Sequence, residues 1–526
     1  MKQHQKEEIQ SRRHFLRQSA CASLGVTGLV NCLANMRLMT AAMAQGGGGG
    51  YKALVCLFQS GGNDSNNMLV PMGDPGSDQL RADYEAARGI LSLPTANLHA
   101  ITPSTNKAFQ RHHGGSGASI PPLGLHPACG DMKTLFDNGE LAFLANVGTL
   151  SYPLANRDDY INGTVPLPPQ LFSHSDQQVQ WQSSVPDKPF TSGWGGRAAD
   201  LLNASYNSNS KASMSISLDG VNSFQVGTAG GITQYAVNQD GAVSLEGYGT
   251  NYSGAYVDPD DHSQGYQIND TGRRLEAFEK IMNFTHENLL EDQYNRIVQR
   301  SRATEGIIGA ALTAAAGSGV DFDSIFSLDA SDPTNPTSEL GGQMKMIARL
   351  IAGRTALGND RQIFFCRIGG HDTHAGMLEA HNNLMDELST ALMQFRNALS
   401  AMGVFNDVLT FSMSDFNRTL LSNGTDANAG SDHAWGGHHI VMGGAQVNGG
   451  PLVGGDVYGH FPPLTTGGGL DSHSTRGRLI PETSVDQYGA RLTEWMGAGS
   501  NEIEAIFPNL SRFDDPAGAS ANLGFI

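Results

Sequence analysis

Cysteine is scarce in this chain, and what there is cannot build a disulfide framework. The five cysteines are Cys21, Cys32, Cys56, Cys129 and Cys366, and no CxxC is present. Two lie in the first 44 residues, while Cys56 and Cys366 sit inside apolar, strand-like runs. They read as buried free thiols. Charge is sparse as well, at 16% of residues, and it is one-sided. The formal net charge is −18. Residues 1–44 carry six basic and two acidic side chains, which leaves the remainder at −22. A surface this acidic argues against nucleic acid as a partner. Long apolar runs are missing too. The stretch from Ala20 to about Val30 is interrupted by Asn31, Asn35 and Arg37, too soon for a stable membrane span. No repeat of solenoid period stands out.

Glycine, by contrast, is abundant, with 65 in 526 residues, so long Gly/Ser/Asn/Thr-rich loops are expected. A hydrophobic content of 39% is ample for a large core, in one elaborated α/β domain or in two. The amino-terminal Ser11-Arg12-Arg13-His14-Phe15-Leu16-Arg17 resembles a twin-arginine export signal. A moderately apolar stretch follows, then the small-x-small site Ala42-Met43-Ala44. The expectation is a signal peptide over 1–44, cleavage before Gln45, and a Gly-rich linker over 45–50. That route places the protein in the periplasm or outside the cell, with no transmembrane segment after cleavage.

The chain is organised around residues 361–444. Two apolar runs, Ile363–Ile368 and Val408–Met413, each end in a polar cluster. The first cluster is Gly369-Gly370-His371-Asp372-Thr373-His374, and the second is Ser414-Asp415. A third, Asp432-His433, precedes the apolar run Ile440–Met442. Between the first two, Leu384, Leu388, Leu392, Phe395, Leu399 and Met402 recur at gaps of three and four, the mark of a helix with one apolar face. Strand, long helix, strand is a βαβ unit, so parallel strands are expected. In parallel sheets ligand chemistry gathers at the carboxyl ends of strands. Neutral His and ionised Asp at those ends suit a divalent cation such as zinc or manganese. Asp and Gly at a strand end are also ordinary turn residues. It is the recurrence of three such clusters that points to a polar site.

Earlier in the chain, the buried-strand pattern Ala53–Phe58 ends in Gly61-Gly62-Asn63-Asp64. The glycine pair permits a sharp turn or a close approach, and Asp64 is placed at a strand end. Leu141–Val147 reads as the next long strand. Phe172-Ser173-His174-Ser175 looks like a helix start, where Ser173 is either a cap or a nucleophile lodged among backbone N–H groups. Residues 204–270 are rich in Asn, Ser, Gly and Tyr and read as an insertion with a little sheet, including Met214–Leu218 and Ser223–Val226. Helices are expected at about 273–300 and 341–357, and a last one is capped by Thr483 or Ser484.

Taken in order, these motifs resemble an exported bacterial family, domain of unknown function 1501. The pieces are the twin-arginine leader, Gly61-Gly62-Asn63-Asp64, Leu125-His126-Pro127, Phe172-Ser173-His174 and Gly193-Trp194-Gly195-Gly196-Arg197. Gly369–His374, Ser414–Thr419, Asp432-His433, Gly477–Pro481 and Phe507-Pro508 continue the set, which spans nearly all of 51–512. The chain departs from the family at His371, where Trp is commoner, at Asp415 for Glu, and at Asn417 for Gly. Its loop Leu420–Ser431 is lengthened. That family looks like a branch of the alkaline phosphatase/sulfatase superfamily. The resemblance implies one domain over 51–526, a three-layer α/β/α fold with a mostly parallel central sheet. It implies divalent metal (zinc, manganese or calcium) bound by Asp64, Asp372, His374, Asp415, Asp432 and His433. Ser173 falls near the nucleophile position, without a Cys-x-Pro-x-Arg sulfatase signature around it. Arg197 or Arg418 would neutralise an anionic group, unless they are structural ion-pair partners.

Two functions follow. One is a metal-dependent hydrolase of phosphate or sulfate esters, acting on a small anionic ester or on a sulfated or phosphorylated glycan. The other is a non-catalytic exported binding or surface-assembly protein on a degenerate version of the fold.

Overall fold

A computed structural model describes residues 50–526, apart from 229–230, 243–244, 246, 249–251, 259–260, 284–288, 329–337, 474 and 514–520. The expected leader over 1–44 and the linker residues 45–49 lie outside the described residues. In chain order the strands begin with β1 (Lys52–Gln59), β2 (Leu69–Pro71), β3 (His99–Ile101), β4 (Leu123–Leu125), β5 (Leu141–Gly148), β6 (Ser215–Ser217), β7 (Tyr235–Asn238) and β8 (Gly241–Ala242). They continue with β9 (Arg361–Ile368), β10 (Val408–Ser414), β11 (Arg418–Ser422), β12 (Ser431–His433), β13 (Gly437–Met442), β14 (Val457–Gly459) and β15 (Thr483–Ser484).

The central sheet runs β14-β5-β13-β10-β1-β9-β6-β7-β8, with β15 also paired to β5. Its neighbours are parallel except where β13 meets β10 and β5, and where β8 meets β7. The chain is therefore mixed α/β with a large, mostly parallel sheet. β9 and β10 are parallel, as the βαβ pattern requires, but they flank β1 instead of pairing with each other. Gln59 at the end of β1 is level with Ser414 of β10 and with Ile368 of β9. Three adjacent carboxyl ends therefore lie side by side.

The apolar run of β1 is continuous because both faces of the sheet are covered. Ala53, Val55 and Leu57 join one buried cluster, to which the helices Gly130–Asp137, Glu339–Ala352 and Met377–Ala401 contribute. Leu54, Cys56 and Phe58 join a second, with the helices Trp194–Tyr206, Val485–Met496 and Ser500–Ile506. A fully buried Leu or Phe contributes roughly 1.5–3 kcal/mol relative to exposure, so one strand of this kind anchors both faces. In the helix Met377–Ala401 the periodic residues Leu388, Leu392, Phe395 and Leu399 are all buried. Cys56, Cys129 and Cys366 are buried free thiols. Among the described residues no helix is long and apolar enough to cross a membrane.

Two expectations need correction. The run Met214–Leu218 does not start a separate sheet in the insertion, because β6 pairs with β9 and extends the central sheet, carrying β7 with it. Ser223–Val226 forms no strand. Its carbonyls instead lie against Gly193 and Gly196, where an added Cβ would stand 2.1 Å from Phe224 O and Val226 O. The helix expected at 273–300 is observed as Asp270–Met282 and Leu289–Ala316.

Candidate site at the carboxyl ends of the central strands

The loop after β1 is a closely packed glycine turn. Gly61 and Gly62 have φ of +111° and +86°, a region L side chains avoid. A Cβ on Gly61 would lie 2.5 Å from the backbone N of Asp372, and one on Gly62 would lie 2.6 Å from the Phe416 ring. The glycine pair therefore lets the loops after β1, β9 and β10 touch. Arg418, at the start of β11, locks them together. Its side chain is 0% exposed. Its Nε donates to Gly62 O at 3.0 Å, Nη1 donates to Ser431 O at 3.1 Å, and Nη2 reaches Gly61 O and the Asp372 carboxylate. With these donors engaged, Arg418 braces Asp372 and does not face the open site as an anion clamp.

Four side chains converge on Asp372 Oδ1. His374 Nε2 is 3.1 Å away, His433 Nε2 3.3 Å and His174 Nε2 3.5 Å, with the Arg418 guanidinium beside them. His374 and His433 also approach each other, Nε2 to Nε2, at 2.9 Å. One ligand atom from each of His174, Asp372 and His433 lies within 4.8 Å of the other two. His174 begins the helix His174–Ser183. His433 ends β12, ahead of the antiparallel strand β13, whose entry is therefore at this end of the sheet.

Two of the three outer ring nitrogens are hydrogen-bonded, and the third faces a carboxylate. His174 Nδ1 donates to Asp415 Oδ2 at 2.6 Å, and His433 Nδ1 donates to the Phe172 carbonyl at 2.7 Å. His374 Nδ1 stands 3.4 Å from Asp432 Oδ1. An acceptor on Nδ1 fixes the tautomer that leaves the Nε2 lone pair pointing inward. Asp415 is itself held, since its side chain is 0% exposed and it accepts from Gly61 N at 3.2 Å and from Gln178 Nε2 at 3.0 Å. Asp432 accepts from Arg476 at 2.6 Å. His174 Nε2 is buried and has no hydrogen-bond partner.

The electrostatics follow these contacts. The hydrogen bond to Asp415 raises the His174 pKa above the usual histidine value, against the effect of burial. Burial lowers that of His433, helped by Arg418 and the neighbouring histidines, against its bond to Phe172. Burial would raise the Asp372 carboxyl, but the bond to Arg418 and the charges of Arg418, His174 and His374 bring it down. The cluster opens to solvent on the side of Asp372 and His374, whose side chains are 48% and 44% exposed.

The structure thus sorts the sequence candidates. Asp372, His374 and His433 come together as inner groups. Asp415 and Asp432 stand behind two of the histidines. Asp64 does not reach the cluster. It turns into the interior and pairs with Arg88 at 2.5 Å, both side chains 0% exposed. Ser173 occupies the cap position of the helix without capping it, and its hydroxyl donates to Asp176 Oδ2 at 2.6 Å. Arg197 gives its donors to the carbonyls of Ile506, Ser192 and Ser183. His371 is a buried wall residue with both ring nitrogens unpartnered, and burial with Arg418 pushes it down to about 3. His438 and His439 are both buried in the sheet's packing. His438 stacks on Phe461, and His439 lies against Trp181.

The residue the sequence reading passed over is His174. A signal was present, because His174 and Gln178 are four apart on one helix and so share a face. Both reach Asp415.

No curated protein matches the chain. Residues 51–464 match the family described as "Protein of unknown function (DUF1501)", a span that includes every inner and outer group of the cluster except Arg476. The chain belongs to the DUF1501 family.

Proposed function

We propose that the protein is an exported, metal-dependent hydrolase of phosphate or sulfate esters. The single observation that carries this reading is the set of imidazole Nε2 atoms turned onto Asp372. His174 Nε2 is buried without a hydrogen-bond partner, and two further Nε2 atoms stand 2.9 Å apart, each with Nδ1 facing an acceptor. Lone pairs and a carboxylate oxygen facing one another repel unless a proton or a cation lies among them, and Arg418 alone reaches only Asp372 and the edge of His374. The donor set of His174, His374, His433 and Asp372 fits such an ion. Three nitrogens and one carboxylate suit zinc best and manganese next, whereas calcium takes oxygen ligands. Bound there, a divalent ion supplies Lewis acidity to an ester oxygen or to water.

The protein's own groups divide the remaining work. Asp415 and Gln178 orient His174, Asp432 backs His374, and Arg418 holds Asp372. Ser173 is the candidate nucleophile by its place next to His174 at the helix start, and its hydroxyl, bonded to Asp176 here, would have to turn toward the cluster to attack. Two covered sheet faces and a site at the strand ends support the finer fold assignment, a three-layer alkaline phosphatase/sulfatase type. The twin-arginine leader supports export to the periplasm or beyond. The substrate class is a small anionic ester or a phosphorylated or sulfated glycan. One observation favours a non-catalytic exported binding or surface-assembly protein instead. Arg418 is fully buried with its donors on backbone and Asp372, so it offers no clamp for an anionic substrate.

The test is elemental mass spectrometry on residues 45–526 purified without chelator, beside His174→Ala and Asp372→Ala. The expected result is near-stoichiometric zinc or manganese in the parent and its loss in both variants. Turnover of p-nitrophenyl phosphate or sulfate, abolished by Ser173→Ala, completes the hydrolase reading. Bound metal with no turnover of either ester selects the binding reading, and a metal-free, folded parent sinks the metal site. Export is tested by replacing Arg12-Arg13 with two lysines, which should retain the precursor in the cytoplasm.

A further inference from the structure

At the opposite end of the central sheet, where the chain enters β6 and β7, lies a cavity of about 720 Å³. That volume is typical of a small-molecule site. Its wall carries Asn203, Ser208, Lys211, Thr233, Gln234 and Tyr235. In a protein with so large an acidic excess, no carboxylate lines it, and its one ionised group is Lys211. No ion pair to the Lys211 ammonium occurs among the described residues. The amides are partly committed in a way that leaves both senses of hydrogen bonding on offer. Asn203 Oδ1 accepts from Asn207 at 3.2 Å, leaving its own N–H groups. Gln234 Nε2 donates to Gly220 O at 2.8 Å, leaving the carbonyl oxygen. Burial, with the charge of Glu305 behind it, pushes the Tyr235 phenol up to about 12, so it keeps its proton and can donate. Ile232 and the Tyr235 ring add an apolar wall.

Free donors and acceptors, an apolar face beside them and a single ammonium complement a polyhydroxylated ring that bears one negative charge. We propose that this groove binds an anionic saccharide, a sugar segment carrying a carboxylate or a sulfate, with its charge on Lys211 and a ring against Tyr235. The inference rests on the groove alone and stands whether or not the histidine cluster holds metal.

Isothermal titration of the mature protein with three tetrasaccharides tests it: tetragalacturonate, its full methyl ester, and a chondroitin sulfate tetrasaccharide. Binding of the galacturonate, the sulfated sugar or both is expected, and which of them binds identifies the charged group. The methyl ester should bind about 1.5-fold to fivefold more weakly than an anionic probe, the range of one exposed ion pair. Lys211→Ala should erase that difference, and added salt should shrink it. Tyr235→Ala should abolish binding, with Tyr235→Phe retaining most of it if the ring is the contact. His433→Ala should bind as the parent does. The proposal is overturned if neither anionic sugar binds, if the methyl ester binds equally well, if Lys211→Ala is without effect, or if His433→Ala removes binding.

Discussion

Asp64→Ala separates the two uses of a strand-end carboxylate most cleanly. A metal ligand, once removed, changes metal content and leaves a site open to water. The Asp64 seen here is different, because its side chain and that of Arg88 are both 0% exposed and 2.5 Å apart. Arg88 also donates to Thr419 O at 2.9 Å. Burial pushes the Asp64 carboxyl up in spite of Arg88 and Arg418, so the pair holds the loop in place more than it adds net stability. Deleting one partner strands the other charge in the interior, which costs about 3–5 kcal/mol. Unfolding entropy near the midpoint is roughly 2.1 cal/mol/K per residue, which for a folded region of about 470 residues is roughly 1 kcal/mol/K. Asp64→Ala should therefore lower Tm by about 3–5 °C in differential scanning calorimetry, with bound metal unchanged by mass spectrometry. Asp64→Leu combined with Arg88→Met should recover part of the loss, short of the carbonyl bonds that Met cannot make. Loss of metal at an unchanged Tm would refute the assignment and return Asp64 to the ligand set.

Three other outcomes are expected. Asp415→Asn keeps the shape behind His174 but removes the charge that fixes its tautomer, so metal affinity should fall about 10- to 100-fold in a competition titration with a chelator. Gly61→Ala places a Cβ against the Asp372 backbone at a φ of +111°, and should destabilise by at least about 1–3 kcal/mol in denaturant unfolding while displacing Asp372 and weakening metal binding. Asp486 is buried and its carboxyl is pushed up to about 7 by desolvation, against Ser184 and Arg197. Between about pH 4 and 7 the folded protein holds a proton there that the unfolded chain has lost. Its contribution is thus complete below about pH 4 and is lost as the pH rises through 7, at up to about 1.4 kcal/mol per pH unit. Asp486→Asn should flatten that part of the stability profile and raise stability at pH 8. A variant whose profile is parallel to the parent's would show that Asp486 does not titrate there.

The parts legible from sequence were those set by local pattern. Continuous apolar runs gave β1, β5, β9 and β10, and the three-four spacing gave the helix Met377–Ala401. The polar clusters that interrupt those runs gave Asp372, His374, Asp415, Asp432 and His433. What escaped was set by contacts between distant segments. Asp64 and Asp372 have the same local signature, an acidic residue just past a strand. Only the fold shows that one faces Arg88 across 24 residues and the other faces three imidazoles. Arg418 could not be told from an anion clamp, because its partners are backbone carbonyls in the β1 loop and at Ser431. β6 was too short, as Ser-Ile-Ser, for alternation to assign it to the central sheet. Ser173 drew attention from its neighbour because a hydroxyl at a helix start has an obvious chemical use. Its side chain turns to Asp176, while His174 turns inward.

The position of His174 decides how the cluster is assembled. Asp372 sits on the loop after β9, and His433 ends the short strand before β13. Both are tied through Arg418 or backbone hydrogen bonds to the ends of packed strands, and they are placed by the sheet itself. His174 arrives on a different segment, after Gln170 and Phe172, whose φ values of +52° and +73° are unfavourable for side chains of that size. Several contacts tie that segment to the cluster. Phe172 O receives His433, the Phe172 ring lies under Arg478 at 4.2 Å, and His174 and Gln178 both reach Asp415. Asp415 is fully buried at the end of β10 and also takes the Gly61 N–H of the β1 loop. One carboxylate therefore joins the glycine turn, the end of β10 and the helix that brings the third imidazole.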